Sequence, residues 1–308
     1  MTTTYRAVRW AALAALMIAV FAVPVRADEV PIGAASQYAI LYEGDGGQNL
    51  SITNVTINGN VGVGGSGKVQ FNGPGTIKGR LDFSASNSGQ FSDTNGSNVG
   101  PTSVNYNVAG VTNALNSVNS LNAMLGAEAG TSININLSGS AGLSVNASAG
   151  TLDAHGNRIF DVTGFNTTNG NTITINGDAA GDNVVFNFIG LNANFNNQVK
   201  LVGLNSDQVL FNFVGGMNFS GGPTLQINDN ASASSSNMVE GIFLNPNGAV
   251  SVVNADVQGR VFGGDSHDMQ IVSGDTITAP AVVPEPATFA LIGTGIVALV
   301  RRRKEFSR

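Results

Sequence analysis

The chain has 308 residues, 42% of them hydrophobic and only 11% charged, against roughly a quarter charged in ordinary soluble domains. Low charge with abundant Val, Ile, Thr and Phe excludes a charge-expanded disordered chain, while the 40 glycines and frequent Asn supply left-handed corners for many short strands, so an all-β body is expected. Cysteine is absent, which excludes a disulfide framework and a thiolate metal site; between residues 28 and 275, six cations stand against 18 carboxylates, and that net of −12 excludes nucleic acid as a partner of the body.

Residues 1–27 read as a secretory signal helix. Arg6 and Arg9 form its charged start, residues 11–23 are an unbroken apolar run, and Val25-Arg26-Ala27 offers small residues for cleavage after Ala27. Thirteen apolar residues are short for a retained anchor.

Short strands cut by Gly and Asn follow, over residues 37–42, 52–57, 68–71 and 80–83. Ile57-Asn58-Gly59-Asn60-Val61 recurs 20 residues later as Ile77-Lys78-Gly79-Arg80-Leu81, and again as Val257-Gln258-Gly259-Arg260-Val261. A repeat of that size indicates stacked coils, each burying its apolar side against its neighbours. Within the motif alternate residues point inward and the Gly permits a tight corner. Residues 84–101 are polar and read as a surface loop.

The one convincing helix spans about 104–126. Val108, Val111, Leu115, Val118, Leu121 and Leu125 recur at steps of three and four, and Gly126 supplies a stop. Its many Asn residues give it poor intrinsic propensity, so it should form only by laying its apolar stripe on the side of the solenoid. Beyond residue 130 the strand pattern echoes itself: residues 182–188 reappear as 207–213, 25 positions on. The differing periods predict an irregular right-handed β-solenoid over residues 28–279, one elongated unit with the helix packed alongside.

The chain ends in a segment, residues 280–308, built of three parts. Val283-Pro284-Glu285-Pro286 precedes an apolar run over residues 287–300, carried by Ala287, Leu291, Ile292, Ile296, Val297, Leu299 and Val300, and the basic cluster Arg301-Arg302-Arg303-Lys304 closes it. In that order these parts resemble the PEP-CTERM sorting signal of Gram-negative bacteria that make exopolysaccharide. The two prolines hold Glu285 extended for a processing enzyme, the apolar run enters the bilayer as a helix, and the arginines stay cytoplasmic. The resemblance implies an exosortase-type partner, transient anchoring in the inner membrane, and release to the cell surface or extracellular matrix. Fourteen apolar residues make about 21 Å of helix against roughly 30 Å of hydrocarbon, and the residues alone also allow a plain uncleaved anchor.

The body carries a second resemblance. Its Tyr-Ala-Ile-Leu strand at residue 38, the Gly-Asn-Val-Gly-Val-Gly-Gly rung at 59, the helix after the first coils, and the closing Leu-Asn-Pro-Asn and Gly-Arg-Val-Phe-Gly-Gly look like the adhesive choice-of-anchor A domains. They are also similar to ice-binding-type β-solenoids. Together the resemblances imply a secreted, surface-displayed, non-enzymatic adhesive or structural protein, partnered by exopolysaccharide or another surface glycan in a biofilm matrix.

Other chemistry is thinly represented. His155 lies in the turn Ala154-His155-Gly156-Asn157. His267 neighbours Asp265, Ser266 and Asp268, but residues adjacent along one strand point opposite ways and do not assemble a triad. Asp178, Asp182, Asp265 and Asp268, with the Glu43-to-Asp45 turn, place carboxylates on flexible corners as calcium sites do, yet none has EF-hand spacing; solvated corners are the preferred reading, and no cofactor is expected. A polysaccharide lyase or hydrolase would need two carboxylates across a cleft with aromatic platforms, and the sole Trp, Trp10, is in the signal. Ice binding would need a regular hydroxyl array, for which Thr56, Thr172 and Thr174 make only a start. An enzyme on a β-helix and an ice-binding protein are thus the alternatives.

Overall fold

The computed structural model describes residues 29–281 apart from 88, 94–99, 138–141, 168–169, 179–182, 216–222, 229–237 and 266. Residues 1–27, expected to be a signal, and the sorting segment from residue 282 onward lie outside the described residues. The first leg runs β1 (Tyr38–Tyr42), β2 (Asn49–Thr53), β3 (Val55–Asn58), β4 (Asn60–Val63), β5 (Lys68–Phe71), β6 (Gly75–Ile77), β7 (Leu81–Phe83), β8 (Gln90–Asp93) and β9 (Val104–Asn105), followed by helix α1 (Ala109–Gly126). The second leg runs β10 (Thr131–Asn136), β11 (Leu143–Asn146), β12 (Thr151–Leu152), β13 (Asn157–Asn166), β14 (Thr172–Asn176), β15 (Asn183–Ile189), β16 (Ala193–Phe195), β17 (Gln198–Val202) and β18 (Val209–Val214). It ends with β19 (Leu225–Asn228), β20 (Met238–Asn245), β21 (Val250–Val253), β22 (Asp256–Gly263), β23 (Met269–Val272) and β24 (Thr276–Thr278).

These strands stack in parallel into a three-faced solenoid. Face one runs β9, β7, β4, β1, β22, β20, β18, β15, β13, β10; face two runs β6, β3, β24, β22, β20, β17, β14, β11; face three runs β8, β5, β2, β23, β21, β19, β16. Strands β20 and β22 each turn a corner and serve two faces. The short β12 pairs antiparallel with β13.

The order along the axis is not the order of the chain. The first leg begins in the middle of the stack and winds to one end, α1 carries the chain back along the outside, and the second leg winds inward until β22 meets β1 and β24 slots between β22 and β3. The rung at this seam is composite: β24 supplies its second face, and β1 and β2 supply the other two. Helix length matches the task, since 18 residues make about 27 Å, and rungs about 4.8 Å apart mean that it passes five or six of them.

The Gly motif explains the corners. Gly59, Gly241 and Gly259 have φ of +155°, +137° and +153°, backbone that disfavours any side chain. They also touch the next rung: a Cβ on Gly259 would lie 1.8 Å from the Gly241 carbonyl oxygen. Ile77, Ile57, Ile277 and Val257 stack on the inner side of this corner column, so the three sequence copies are rungs of one stack, with Ile277 supplying the fourth.

Inside, Phe160, Phe186, Phe211 and Phe243 form a stacked column with centroids 5.1, 5.4 and 4.8 Å apart. The echo between residues 182–188 and 207–213 is this column together with the stacked pair Phe188 and Phe213. A second apolar layer lies outside face one, where Leu41, Phe262, Leu244, Ile242, Leu210, Val185 and Ile159 bury against Val111, Ala114, Val118, Leu121 and Leu125 of α1. Each Val, Leu or Ile side chain buried there stabilises by about 1.5–3 kcal/mol, which offsets the poor helix propensity.

Three boundaries differ from the sequence expectation. The helix starts at Ala109 rather than near 104, because Asn107 takes a left-handed φ of +58° and Val104–Asn105 pair with β7 as a strand. Residues 52–57 are two strands on different faces, parted at Asn54 with φ +56°. Part of the 84–101 loop is a rung, since Gln90–Asp93 pair with β5.

Candidate ligand-binding faces

Face one has no free surface beneath α1. Polar groups there are tied down: Asn122 Nδ2 donates to Asn212 Oδ1 (2.7 Å) and to the Phe213 carbonyl (2.8 Å), Asn212 Nδ2 donates to Asn187 Oδ1 (2.9 Å), and Asn187 Nδ2 donates to the Leu125 carbonyl (2.7 Å). This chain bolts the C-terminal half of the helix to two rungs.

Face two carries hydroxyls and amides; its amides are engaged with neighbouring side chains, while the hydroxyls of Thr56, Thr76 and Thr276 are not. Thr76, Thr56 and Thr276 stack in register, and Asn58, Thr278 and Gln258 form the next column. Asn58 Nδ2 donates to Thr278 Oγ1 (2.9 Å), Asn176 Nδ2 to Ser144 Oγ (2.8 Å) and Thr172 Oγ1 to Gln198 Oε1 (3.2 Å). Glu240 Oε2 accepts the Leu201 N–H at 2.7 Å. Thr56 therefore does belong to a short threonine ladder, whose third member comes from a segment 220 residues away. Asp256, Met238 and Gln198 interrupt it before Thr172.

Face three is a seven-stranded, wholly parallel sheet. Its inward residues, such as Leu50, Ile52, Val69, Val252 and Ile271, are buried. Its central outward column reads, rung by rung, Ser92, Gln70, Ser51, Gln270, Ser251, Gln226 and Asn194. Hydroxyl and carboxamide alternate from Ser92 to Gln226, Asn194 adds a second carboxamide at the end, and no charge enters the column. Among the described residues the side chains from Ser92 to Gln226 make no hydrogen bond within the protein. Beside it Thr53, Val272 and Val253 form a shallow apolar ridge.

The central column was not anticipated from the sequence. Its local signal is an apolar residue, Ser or Gln, then an apolar residue, as in Leu50-Ser51-Ile52 and Met269-Gln270-Ile271. The alternation exists only in the stacked order. Chemically the face offers donors and acceptors at regular spacing and no nucleophile beside a base.

The corner between faces one and three collects acids. Glu43 follows β1 and tucks beneath α1, where Asn119 Nδ2 donates to its Oε2 at 3.2 Å. Burial pushes its pKa up to about 7; Asn119 opposes this, and Asp265 and Asp45 add to it. Asp275, on the corner before β24, accepts the Ala255 N–H at 2.6 Å and is likewise raised to about 7, chiefly by burial. Asp268 accepts the Asn49 N–H at 2.8 Å, joining two rungs, and the Tyr42 hydroxyl donates to the His267 carbonyl at 3.0 Å. Asp178 sits 3.7 Å from the Arg158 guanidinium, and Asp182 lies outside the described residues, as does Ser266. No cluster of three His, Asp or Glu fit to hold a metal occurs among the described residues. His155 occupies an exposed turn, where Asp153 accepts its N–H at 2.8 Å.

Residues 32–271 match the family model described as "Putative Ice-binding-like adhesive domain". The chain belongs to that family. Residues 282–304 match the PEP-CTERM protein-sorting motif, which contains Pro284, Glu285 and Pro286 and implies export, surface display and processing by an exosortase. No curated protein matches the sequence. Among solved structures, the ice-binding protein LeIBP from an Arctic yeast is 15% identical, aligned over 82% of this chain and 96% of its own, with a TM-score of 0.50. An ice-binding protein from the Antarctic ascomycete Antarctomyces psychrotrophicus is 12% identical over 83% and 100%, with a TM-score of 0.47. One from an Antarctic Flavobacteriaceae bacterium is 16% identical over 82% and 48%, with 0.49. At 15% identity LeIBP shows the fold alone, a β-solenoid. Among the described residues no helix is long and apolar enough to cross a membrane; the apolar run 287–300 is not among them.

Proposed function

We propose that this protein is a non-enzymatic surface adhesin that binds exopolysaccharide through its solenoid body. In this reading the signal is removed after Ala27, and the run from Ala287 to Val300 holds the chain in the inner membrane with Arg301 to Lys304 on the cytoplasmic side. An exosortase then cuts at the Pro284-Glu285-Pro286 motif. The observation that carries the reading is the pairing of an ice-binding-like adhesive domain with a sorting motif on one chain. The unengaged polar column of face three supports it. Protein recovered from the producing cells should end near Pro286 by intact mass and should co-sediment with the producer's polysaccharide. An intact Arg301–Arg308 terminus in the inner membrane would instead mark a tethered periplasmic protein.

The Thr76, Thr56, Thr276 ladder of face two favours ice as a second reading. Inhibition of ice recrystallisation by the purified protein, without polysaccharide binding, would select it. Release of reducing or unsaturated ends from the polymer would overturn the non-enzymatic reading.

A further inference from the structure

We propose that the Ser/Gln column of face three is a track for one extended strand of an uncharged β-1,4-linked glycan, laid along the solenoid axis with one sugar per rung. The proposal rests on the adhesive reading above and names its site and ligand class.

Spacing is the first argument. Rungs recur at about 4.8 Å, close to the advance of one sugar in an extended β-1,4-linked chain. Successive sugars in such a chain are turned over by half a revolution, so the edge they present repeats every second unit. Over six of its seven rungs the column has that same period of two, Ser92, Gln70, Ser51, Gln270, Ser251 and Gln226, and Asn194 at the end rung departs from it. Hydroxyl and carboxamide each donate and accept, as sugar hydroxyls do.

Charge is the second. The column is neutral on a body of net −12, so an anionic polymer is repelled and an uncharged one is not. Third, these side chains have no partner inside the protein among the described residues, whereas the amides of face two, Asn58, Asn176 and Gln198, are each bonded to a side chain beside them and only hydroxyls such as Thr56 stand free there. The ridge of Thr53, Val272 and Val253 gives the C–H face of the sugar rings an apolar surface alongside.

No aromatic platform lies on the track, so each sugar contributes weakly and binding accumulates along the strand. Six steps between seven rungs make about 29 Å, room for about seven sugars.

The test uses protein purified from the producing cells, titrated calorimetrically with cello-oligosaccharides of about two to eight sugars, and in parallel co-sedimented with the producer's polysaccharide. Affinity should be undetectable for the disaccharide, rise with length and level off near seven sugars. Ser251→Lys, in mid-column, should weaken binding at least about tenfold, and Gln270→Ala should weaken it less, while Thr56→Lys on face two leaves it unchanged; matching thermal midpoints establish that each variant is folded. Co-sedimentation that survives Ser251→Lys undiminished overturns the track and leaves adhesion standing. Absence of co-sedimentation by the unaltered protein removes the adhesive reading and the track with it. Affinity independent of chain length, or ice activity lost in Ser251→Lys without oligosaccharide binding, also overturns the track.

Discussion

Arg260 is 1% exposed and four hydrogen bonds hold its guanidinium. Nε donates to Asp207 Oδ1 at 3.0 Å and Nη2 to Asp207 Oδ2 at 3.4 Å, while Nη1 reaches the Tyr38 carbonyl at 2.8 Å and Nη2 the Pro280 carbonyl at 3.2 Å. One side chain thus joins the opening strand, the middle of the second leg and the last described residues. Cutting the charge from this site leaves Asp207 buried and unpaired, so Arg260→Met should cost about 3–5 kcal/mol in urea unfolding. Arg260→Lys should fall well short of rescue, since an ammonium does not reproduce the fork. Glu43 and Asp275 set the pH dependence. Each has a folded-state pKa near 7, above its ordinary carboxylate value, so folding takes up protons. The stability they contribute is full below about pH 4 and is lost as pH rises through 7. The thermal midpoint should therefore rise between pH 8 and pH 5, and Glu43→Gln should raise it at pH 8 while flattening the slope.

At the scale of elements, α1 shows what a pattern of residues reveals and what it leaves hidden. Its apolar stripe is plain in the sequence because Val111, Val118, Leu121 and Leu125 all face one surface. Its start is not, because Val108 continues the apolar spacing while the backbone at Asn107 turns left-handed. The Asn122, Asn187 and Asn212 chain is invisible in sequence, where Asn reads as a loop or weak helix former. Asn122→Ala removes the donor to Asn212 and to the Phe213 carbonyl, and should cost about 2–3 kcal/mol by denaturant unfolding. The corner motif was legible for the opposite reason: each copy needs Gly, Gly59 through its φ, Gly79 through the next rung's backbone and Gly259 through both. Gly259→Ala should destabilise more than any exposed strand substitution, as a scan of thermal midpoints across Gly259, Thr56 and Ser51 variants would read.

For the whole molecule, the stacking of coils and their three sequence copies could be read, but their order could not. Adjacent rungs at the seam come from positions about 220 apart, as Thr56 on Thr276 and Leu50 on Met269, and no local pattern encodes such a neighbour. The alternation on face three is hidden the same way, since Ser51 meets Gln270 only there. Pairing over that separation predicts slow folding. It also makes β24 indispensable: a chain ending at Gly274 loses Ile277 from the core and leaves β3 and β22 without their neighbour. It should lack a cooperative transition that a chain ending at Ala281 retains, as circular dichroism on heating would show.

The composite rung has a mechanical meaning. The tail leaves the body at β24, in the middle of the stack, rather than from either end. Pulling on the tail while a partner holds face three draws β24 lengthwise between β22 and β3, against hydrogen bonds on both sides at once. Those neighbours belong to opposite legs of the chain, so tension enters both halves together, and the Arg260 guanidinium, gripping the Pro280 carbonyl, lies directly behind the point where it enters.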